Sequence, residues 1–214
     1  MKGKNPLSLV GVFLLLVVFP AVSWYYLDLG KNRRMDQLSQ LKDIGPVPVF
    51  SWPANGSGPL KKEMISGKML IACILPTGDQ NLLADFGAQL SELHEQFDER
   101  NDLLFPIYVP HAPEGDSSLT AFAGKYGLKD PGQVFFIPVP ADSVSAVAEA
   151  WKFPLNGIQP DNSPYLALCD VKGMIRRFFD LKKPDEIGQL AEVTAMILPL
   201  KKDKELIFRR ERER

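Results

Sequence analysis

Cysteine and histidine are scarce in this chain of 214 residues, which contains two of each. Two cysteines, Cys73 and Cys169, are too few for a disulfide-rich secreted scaffold, and the number fits either redox compartment. Neither His94 nor His111 has a second histidine or cysteine at ligand spacing, which argues against a zinc-type site. An excess of positive charge is lacking too, since 25 basic residues face 26 acidic ones. This balance argues against a nucleic-acid-binding protein.

Charged side chains are missing from one long segment, residues 6–27. At about 1.5 Å per residue, a helix of this length crosses the roughly 30 Å hydrocarbon core of a bilayer. The aromatic residues 24–26 stand at its end, where amphipathic rings favour the membrane interface. The segment is therefore predicted to be a transmembrane helix. A cleaved signal peptide is the alternative, because lysines precede the run and Ala21-Val22-Ser23 resembles a cleavage site.

The remaining chain divides by composition. A polar stretch with a predicted short helix over residues 31–43 ends at the Gly45-Pro46-Val47-Pro48 sequence, where proline stops a helix. The last residues carry seven basic and four acidic side chains, which indicates a solvated helix or disorder, or attraction to acidic lipid headgroups. The predicted organisation is an N-terminal cytoplasmic end (1–5), a transmembrane helix (6–27), a stalk (28–46), a globular domain (47–200) and a charged C-terminal tail (201–214).

Within the globular domain, apolar runs typical of strands alternate with helical periodicities, which favours an α/β domain with crossover connections. A turn-rich connector, 170–173, joins the last two strands and is short enough only for an antiparallel hairpin. The predicted sheet is therefore mixed. The predicted strands are 47–52, 68–75, 103–109, 134–139, 165–169 and 174–179, and the predicted helices are 80–97, 116–126, 143–151 and 184–198.

The turn between the strand 68–75 and the helix 80–97 reads Pro76-Thr77-Gly78-Asp79 and contains no cysteine. Thr77 and Gln80 match a capping box, in which each side chain satisfies a backbone N–H at the start of a helix. The sequence therefore predicts that this turn begins the helix with Thr77 as its cap.

The order of these elements resembles the thioredoxin-like fold, an α/β three-layer domain with a mixed sheet, here preceded by one N-terminal transmembrane helix. Within that fold the chain most resembles the SCO/SenC family of cytochrome oxidase assembly proteins. The resemblance rests on Pro48-Val49-Phe50-Ser51, Gly67-Lys68 before a hydrophobic strand, Ile107-Tyr108-Val109, and the hairpin with Asp170-x-x-Gly173.

In that family a Cys-x-x-x-Cys motif in the turn and a histidine before the hairpin bind copper or exchange disulfides. The matching segments here are 75–80 and Asn162-Ser163-Pro164, and both motifs are missing from them. Copper(I) and thiol exchange need a soft, exposed thiolate, whereas Thr77 and Asp79 offer only hard oxygen. We therefore expect no catalytic residue, no resident cofactor and no metal site at this turn.

A turn without reactive groups favours a docking role. The predicted docking patch comprises Pro76, Thr77, Gly78, Asp79, Ser163 and Pro164, joined by Trp52 and Trp151 if these are exposed. The alternative is a thiol or copper-handling protein that uses Cys73 and Cys169, which stand on strands expected to be neighbours. Whether the Ser163–Pro164 peptide bond is cis or trans is left open by the sequence.

The resemblance also implies partners and location. It implies an accessory or assembly factor, or a subunit, of a respiratory cytochrome oxidase complex in the membrane, with no nucleic-acid partner. It places the protein in a bacterial inner membrane as a single-pass protein, with the N-terminus inside and the globular domain facing the periplasm. The charges that flank the apolar segment do not decide this orientation, because they are nearly balanced.

Overall fold

The structure is a computed structural model that describes residues 6–50, 54, 60–110 and 117–199. The chain forms two compact units, Met1–Lys42 and Asp43–Arg214. The first is helical, and the second is an α/β domain.

In the first unit, helix α1 (Pro6–Phe13) passes through a π-helical turn (Leu14–Val18) into helix α2 (Phe19–Ser39). Pro20 follows the π-helical turn. Since proline has no N–H to donate, a local change of hydrogen-bond pattern there lets the helix continue. From Val10 onward most of its large apolar side chains are exposed, and the helical segment Val10–Ser39 is long and apolar enough to cross a membrane. The predicted short helix over residues 31–43 is corrected, because residues 31–39 simply continue α2.

The second unit is built on one sheet of six strands in the order β1-β6-β5-β2-β3-β4. Strands β2, β3 and β4 are parallel, whereas β5 and β6 form an antiparallel hairpin and β1 pairs antiparallel with β6. The predicted mixed sheet is confirmed. The strands are β1 (Gly45–Pro46), β2 (Met69–Ile74), β3 (Leu103–Pro110), β4 (Val134–Val139), β5 (Tyr165–Cys169) and β6 (Met174–Asp180).

Helices cover both faces of this sheet. The described helices of the unit are α3 (Lys62–Ile65), α4 (Gln80–Gln96), α5 (Ser117–Lys125), α6 (Val144–Ala150) and α7 (Pro184–Ile197), with short 3-10 turns at Ala141–Ser143 and Pro160–Asn162. Every residue of β2 and β3 is buried, as expected of parallel strands covered on both faces. The result is the predicted three-layer α/β arrangement.

The two faces have separate cores because successive side chains of a strand point in opposite directions. On one face, Leu70, Ala72 and Ile74 of β2 pack in a cluster that includes Trp151 at the end of α6. On the other face, Phe105 of β3 packs edge-on against His94 of α4. α4 and α7 lie side by side on this second face and line a common groove.

The first strand differs from the prediction. A strand was expected over residues 47–52, but β1 is the two-residue segment Gly45–Pro46, and residues 47–50 form no strand. The Val47 N–H still donates to the Gly173 carbonyl at 2.9 Å, and then Pro48 has no N–H with which to continue the ladder. Residues 51–52 lie outside the described residues.

Candidate functional site

The turn that follows β2 is held by one backbone hydrogen bond to the neighbouring strand and by one within the turn itself. The Leu75 N–H donates to the Tyr108 carbonyl at 2.8 Å, and the Thr77 N–H donates to the Leu75 carbonyl at 2.9 Å. This turn therefore lies at the carboxyl end of the parallel strands, the edge at which open α/β sheets bind their ligands.

The cap of α4 is Asp79, and the predicted Thr77–Gln80 capping box is wrong. The Asp79 carboxylate accepts the N–H groups of Asn81 at 2.9 Å and Leu82 at 3.2 Å. Asp79 has extended backbone angles, as an N-cap requires. Aspartate is at least as good a cap as threonine, and here it stands directly before the first helical residue, Gln80. The carboxylate that was expected to face a partner is thus partly committed to its own helix.

A second segment faces this turn. The 3-10 turn Pro160–Asn162 brings the Asp161 carbonyl within 3.2 Å of the Gly78 N–H, which donates to it. The Asn162 side chain lies so close to Gly78 that a Cβ atom there would stand 2.5 Å from its Oδ1 atom. A side chain at position 78 would therefore require the Asn162 side chain to move, whereas the backbone angles at Gly78 are not in the left-handed region. The residues that make this contact, Asp161 and Asn162, directly precede Ser163 and Pro164 of the predicted docking patch.

Half of the residues in the predicted docking patch are buried. Ser163 is fully buried, and Pro76 and Pro164 are buried as well. The Leu181 N–H donates to the Pro164 carbonyl at 2.9 Å, so this proline belongs to the framework of the sheet. The Ser163–Pro164 peptide bond is trans.

Among the described residues of this turn and of the segment that faces it, Thr77, Gly78, Asp79, Asp161 and Asn162 are accessible, and we call this set the turn patch. Asp161 and Asn162 were missing from the predicted patch, because a single 3-10 turn leaves no periodic signal in a sequence. Pro160 was the one residue that could have indicated this turn, since proline is common at the first position of a helical segment.

Trp151 does not extend the turn patch. The Trp151 side chain is fully buried, with Tyr108 and Phe153 packed against its ring. Trp151 is therefore a core residue and not an exposed interface residue. Trp52 lies outside the described residues.

The two cysteines lie on adjacent strands but on opposite faces of the sheet. Cys169 on β5 is directly opposite Leu70 on β2, whereas Cys73 on β2 is opposite Leu166. Residues that stand opposite each other share a face, and positions 70 and 73 of one strand face opposite ways. Cys169 belongs to the cluster around Trp151. A disulfide between the two would require rebuilding the sheet.

Burial also suppresses the reactivity of each thiol. Both side chains are fully buried, and burial raises the pKa of the Cys73 thiol far above its ordinary value. Burial raises the pKa of Cys169 as well, helped by the nearby Asp170 carboxylate. Since the thiolate is the nucleophile and the metal ligand, neither residue is poised for exchange or metal binding.

The donor set of the turn patch does not fit copper(I). It consists of hydroxyl, carboxylate, amide and carbonyl groups, which are hard ligands, and copper(I) selects thiolate and thioether sulfur. Asp79 already accepts two backbone N–H groups. Within residues 6–50, 54, 60–110 and 117–199, no group of three or more His, Cys, Asp or Glu side chains converges on a metal position. His94 packs against Phe105 with ring centroids 5.8 Å apart, and His111 lies outside the described residues.

Comparison with known proteins identifies the fold. No protein-family description matches the sequence, and no curated protein matches it either. Among solved structures, a SCO1/SenC family lipoprotein from Bacillus anthracis is 16% identical, with a TM-score of 0.59 over 76% of this chain and 99% of that chain. BsSco, described as a member of the Sco family of cytochrome c oxidase assembly proteins, is 16% identical, with a TM-score of 0.51 over 71% and 94%.

ScoI from Bradyrhizobium japonicum, solved with copper bound, is 13% identical, with a TM-score of 0.53 over 72% of this chain and 100% of that chain. Structural similarity at such low sequence identity shows a shared fold and nothing finer. The chain has a thioredoxin-like fold, and SCO/SenC family proteins are among its structural neighbours.

Proposed function

We propose that this thioredoxin-like chain is a membrane-anchored docking protein that acts without thiol or copper chemistry, as an accessory or assembly factor, or a subunit, of a respiratory cytochrome oxidase complex. The chemistry of the turn patch is the observation that supports a docking role without thiol or copper chemistry. The position where a reactive turn would begin a helix holds Asp79 as a structural cap, and both thiols are buried on separate faces of the sheet.

The turn patch has the properties of a binding surface. Its backbone is fixed by the Gly78–Asp161 hydrogen bond and by the cap of α4, so little conformational entropy would be lost when a partner binds. Gly78 and Asp79 are exposed, and Thr77, Asp161 and Asn162 are half-buried. Two acidic side chains and two neutral polar side chains favour a partner that presents hydrogen-bond donors or a basic side chain.

The proposed role with a cytochrome oxidase complex is supported by the structural neighbours, since BsSco is described as belonging to a family of cytochrome c oxidase assembly proteins. The exposed apolar helix Val10–Ser39 supports attachment to a membrane. We propose the bacterial inner membrane, a single-pass arrangement and a globular domain that faces the periplasm. A thiol or copper-handling role for Cys73 and Cys169 finds no support in their positions.

The test is affinity purification of the full chain from native membranes in mild detergent. We expect oxidase subunits to remain bound to the wild-type protein. Asp161→Lys combined with Thr77→Arg should reduce their recovery at least fivefold, because it adds bulk and reverses charge at the centre of the turn patch. Asn101→Arg is the control variant, since this exposed residue precedes β3 at the opposite end of the sheet.

If the double variant retains the oxidase subunits as well as the wild-type protein does, the turn patch is not the docking surface. If the wild-type protein retains a different membrane complex, the oxidase assignment is wrong while the docking role stands.

A further inference from the structure

The groove between α4 and α7 has an apolar floor and an acidic rim. Leu93 is buried at its base, and Ile187 and Ala191 are half-buried beside it. Glu92 and Glu192 stand exposed on its two sides. The cleft measures about 610 Å³, which is within the size range of ligand-binding clefts in proteins.

The helices that form this groove carry charge of one sign. α4 contains three acidic residues and α7 contains another three, and neither helix contains lysine or arginine. The first basic residue after α4 is Arg100, whose guanidinium pairs with the Asp102 carboxylate at 2.8 Å. An apolar cleft with such a rim fits a segment that combines apolar and basic side chains.

The chain itself contains a segment of this kind. The C-terminal tail, residues 201–214, has seven basic and four acidic residues, and Leu206-Ile207-Phe208 stands between its two basic groups. We propose that the groove between α4 and α7 is the docking site of this tail, with the apolar triplet over Leu93 and Ala191 and the flanking basic side chains beside Glu92 and Glu192.

The connection between the two is short enough. The last described residue, Pro199, accepts a hydrogen bond from Arg100 through its carbonyl, so the chain leaves α7 next to the end of α4. Ala191 lies six residues before the end of α7 at Ile197, which is about 9 Å along the helix. The seven residues from Pro199 to Leu206 span up to roughly 23 Å when extended. Tethering at such a distance gives an effective concentration on the order of millimolar.

Amide hydrogen exchange of the full chain in nanodiscs of neutral phosphatidylcholine tests this proposal. We expect the amides of residues 204–210 to exchange at least about tenfold more slowly than an unstructured peptide. Glu92→Lys with Glu192→Lys should abolish this protection. Asp85→Lys with Asp98→Lys is the matched control, because it makes the same change of charge at exposed positions outside the groove.

Reversing the charges on both the tail and the groove tests whether the two contact each other directly. Reversing Lys204, Arg209 and Arg210 to glutamate should also abolish protection of the tail, and combining this change with the reversed groove should restore it. Retained protection of the β2 amides in the same data shows that each variant is folded. Tail exchange at the unstructured rate in the wild-type protein would overturn the proposal, as would an equal loss in the control variant. Protection that arises only after phosphatidylglycerol is added would assign the tail to lipid headgroups instead.

Discussion

Replacing Gly87 with alanine tests how α4 packs against the residue that follows α5. Gly87 is buried in the middle of α4, and the aromatic ring of Tyr126 lies directly over it. A Cβ atom at this position would stand 2.4 Å from Cε2 and 2.6 Å from Cδ2 of that ring. The ring is itself held by Phe122, with ring centroids 4.8 Å apart. A methyl group therefore cannot enter without displacing the ring.

Gly188 in α7 provides the matched comparison, because a Cβ atom there meets no described atom within 4 Å. Alanine is favoured over glycine in a helix interior by about 1 kcal/mol. Gly188→Ala should therefore stabilise the domain by about that amount, which raises the melting temperature by roughly 2–4 °C. Gly87→Ala gains the same helix propensity but adds overpacking of about 1–3 kcal/mol. We expect it to melt roughly 2–12 °C below Gly188→Ala.

Thermal unfolding of the full chain in detergent, followed by circular dichroism, measures the difference. The Tyr126→Ala background isolates the contact, because Gly87→Ala should there become as stabilising as Gly188→Ala. Equal melting temperatures for the two single variants in the wild-type background would refute the packing argument. A penalty that persists without the Tyr126 ring would assign the effect to the backbone of α4.

Two further predictions concern the thiols and one carboxylate. Because Cys73 and Cys169 are fully buried, alkylation must await unfolding, and an unfolding free energy of at least about 5 kcal/mol slows it on the order of 10³-fold or more relative to denatured protein. Rapid labelling of either thiol, or stoichiometric tight copper(I) binding in a titration, would contradict a role without thiol chemistry. Burial works to raise the pKa of Glu186, but hydrogen bonds from the Asp180 N–H and the Lys183 ammonium overcome it, so the pKa lies below its ordinary value. This carboxylate stabilises the fold above the unfolded pKa of about 4.3 and loses that contribution as the pH falls through its folded pKa. Glu186→Gln should therefore melt at a lower temperature than the wild type at pH 7, and the two should converge in acid; a gap independent of pH would show that the charge is unimportant.

The helices and central strands were predictable because their apolar residues repeat with clear periods. Along α4, Leu82, Phe86, Leu90 and Leu93 are all buried, as their spacing indicated. Strand β2 is apolar throughout and is the central buried strand that such runs predict. The spacing of apolar residues within one segment was therefore enough to predict these helices and strands.

The details of the candidate site depended on contacts between distant segments. Thr77 and Asp79 are both good caps, and the structure places Asp79 at the start of the helix. The sequence could suggest that Cys73 and Cys169 lie on neighbouring strands, but the register that puts them on opposite faces is a property of the paired sheet. Ser163 and Pro164 are buried, and the Leu181 N–H that donates to the Pro164 carbonyl comes from a segment 17 residues further along the chain.

Strand β1 pairs with only two residues of β6, Ile175 and Met174, so the outer side of β6 from Arg176 to Asp180 is a sheet edge without a paired strand among the described residues. Exposed edges of this kind invite another chain to add a strand, and proteins defend them with charge and irregular pairing. Here Arg176 forms ion pairs with Asp43 and Asp170, and the register of β5 and β6 shifts at Cys169. These features make the edge a poor template for strand addition, so a second chain is more easily accommodated at the turns and helices of the domain than at this edge.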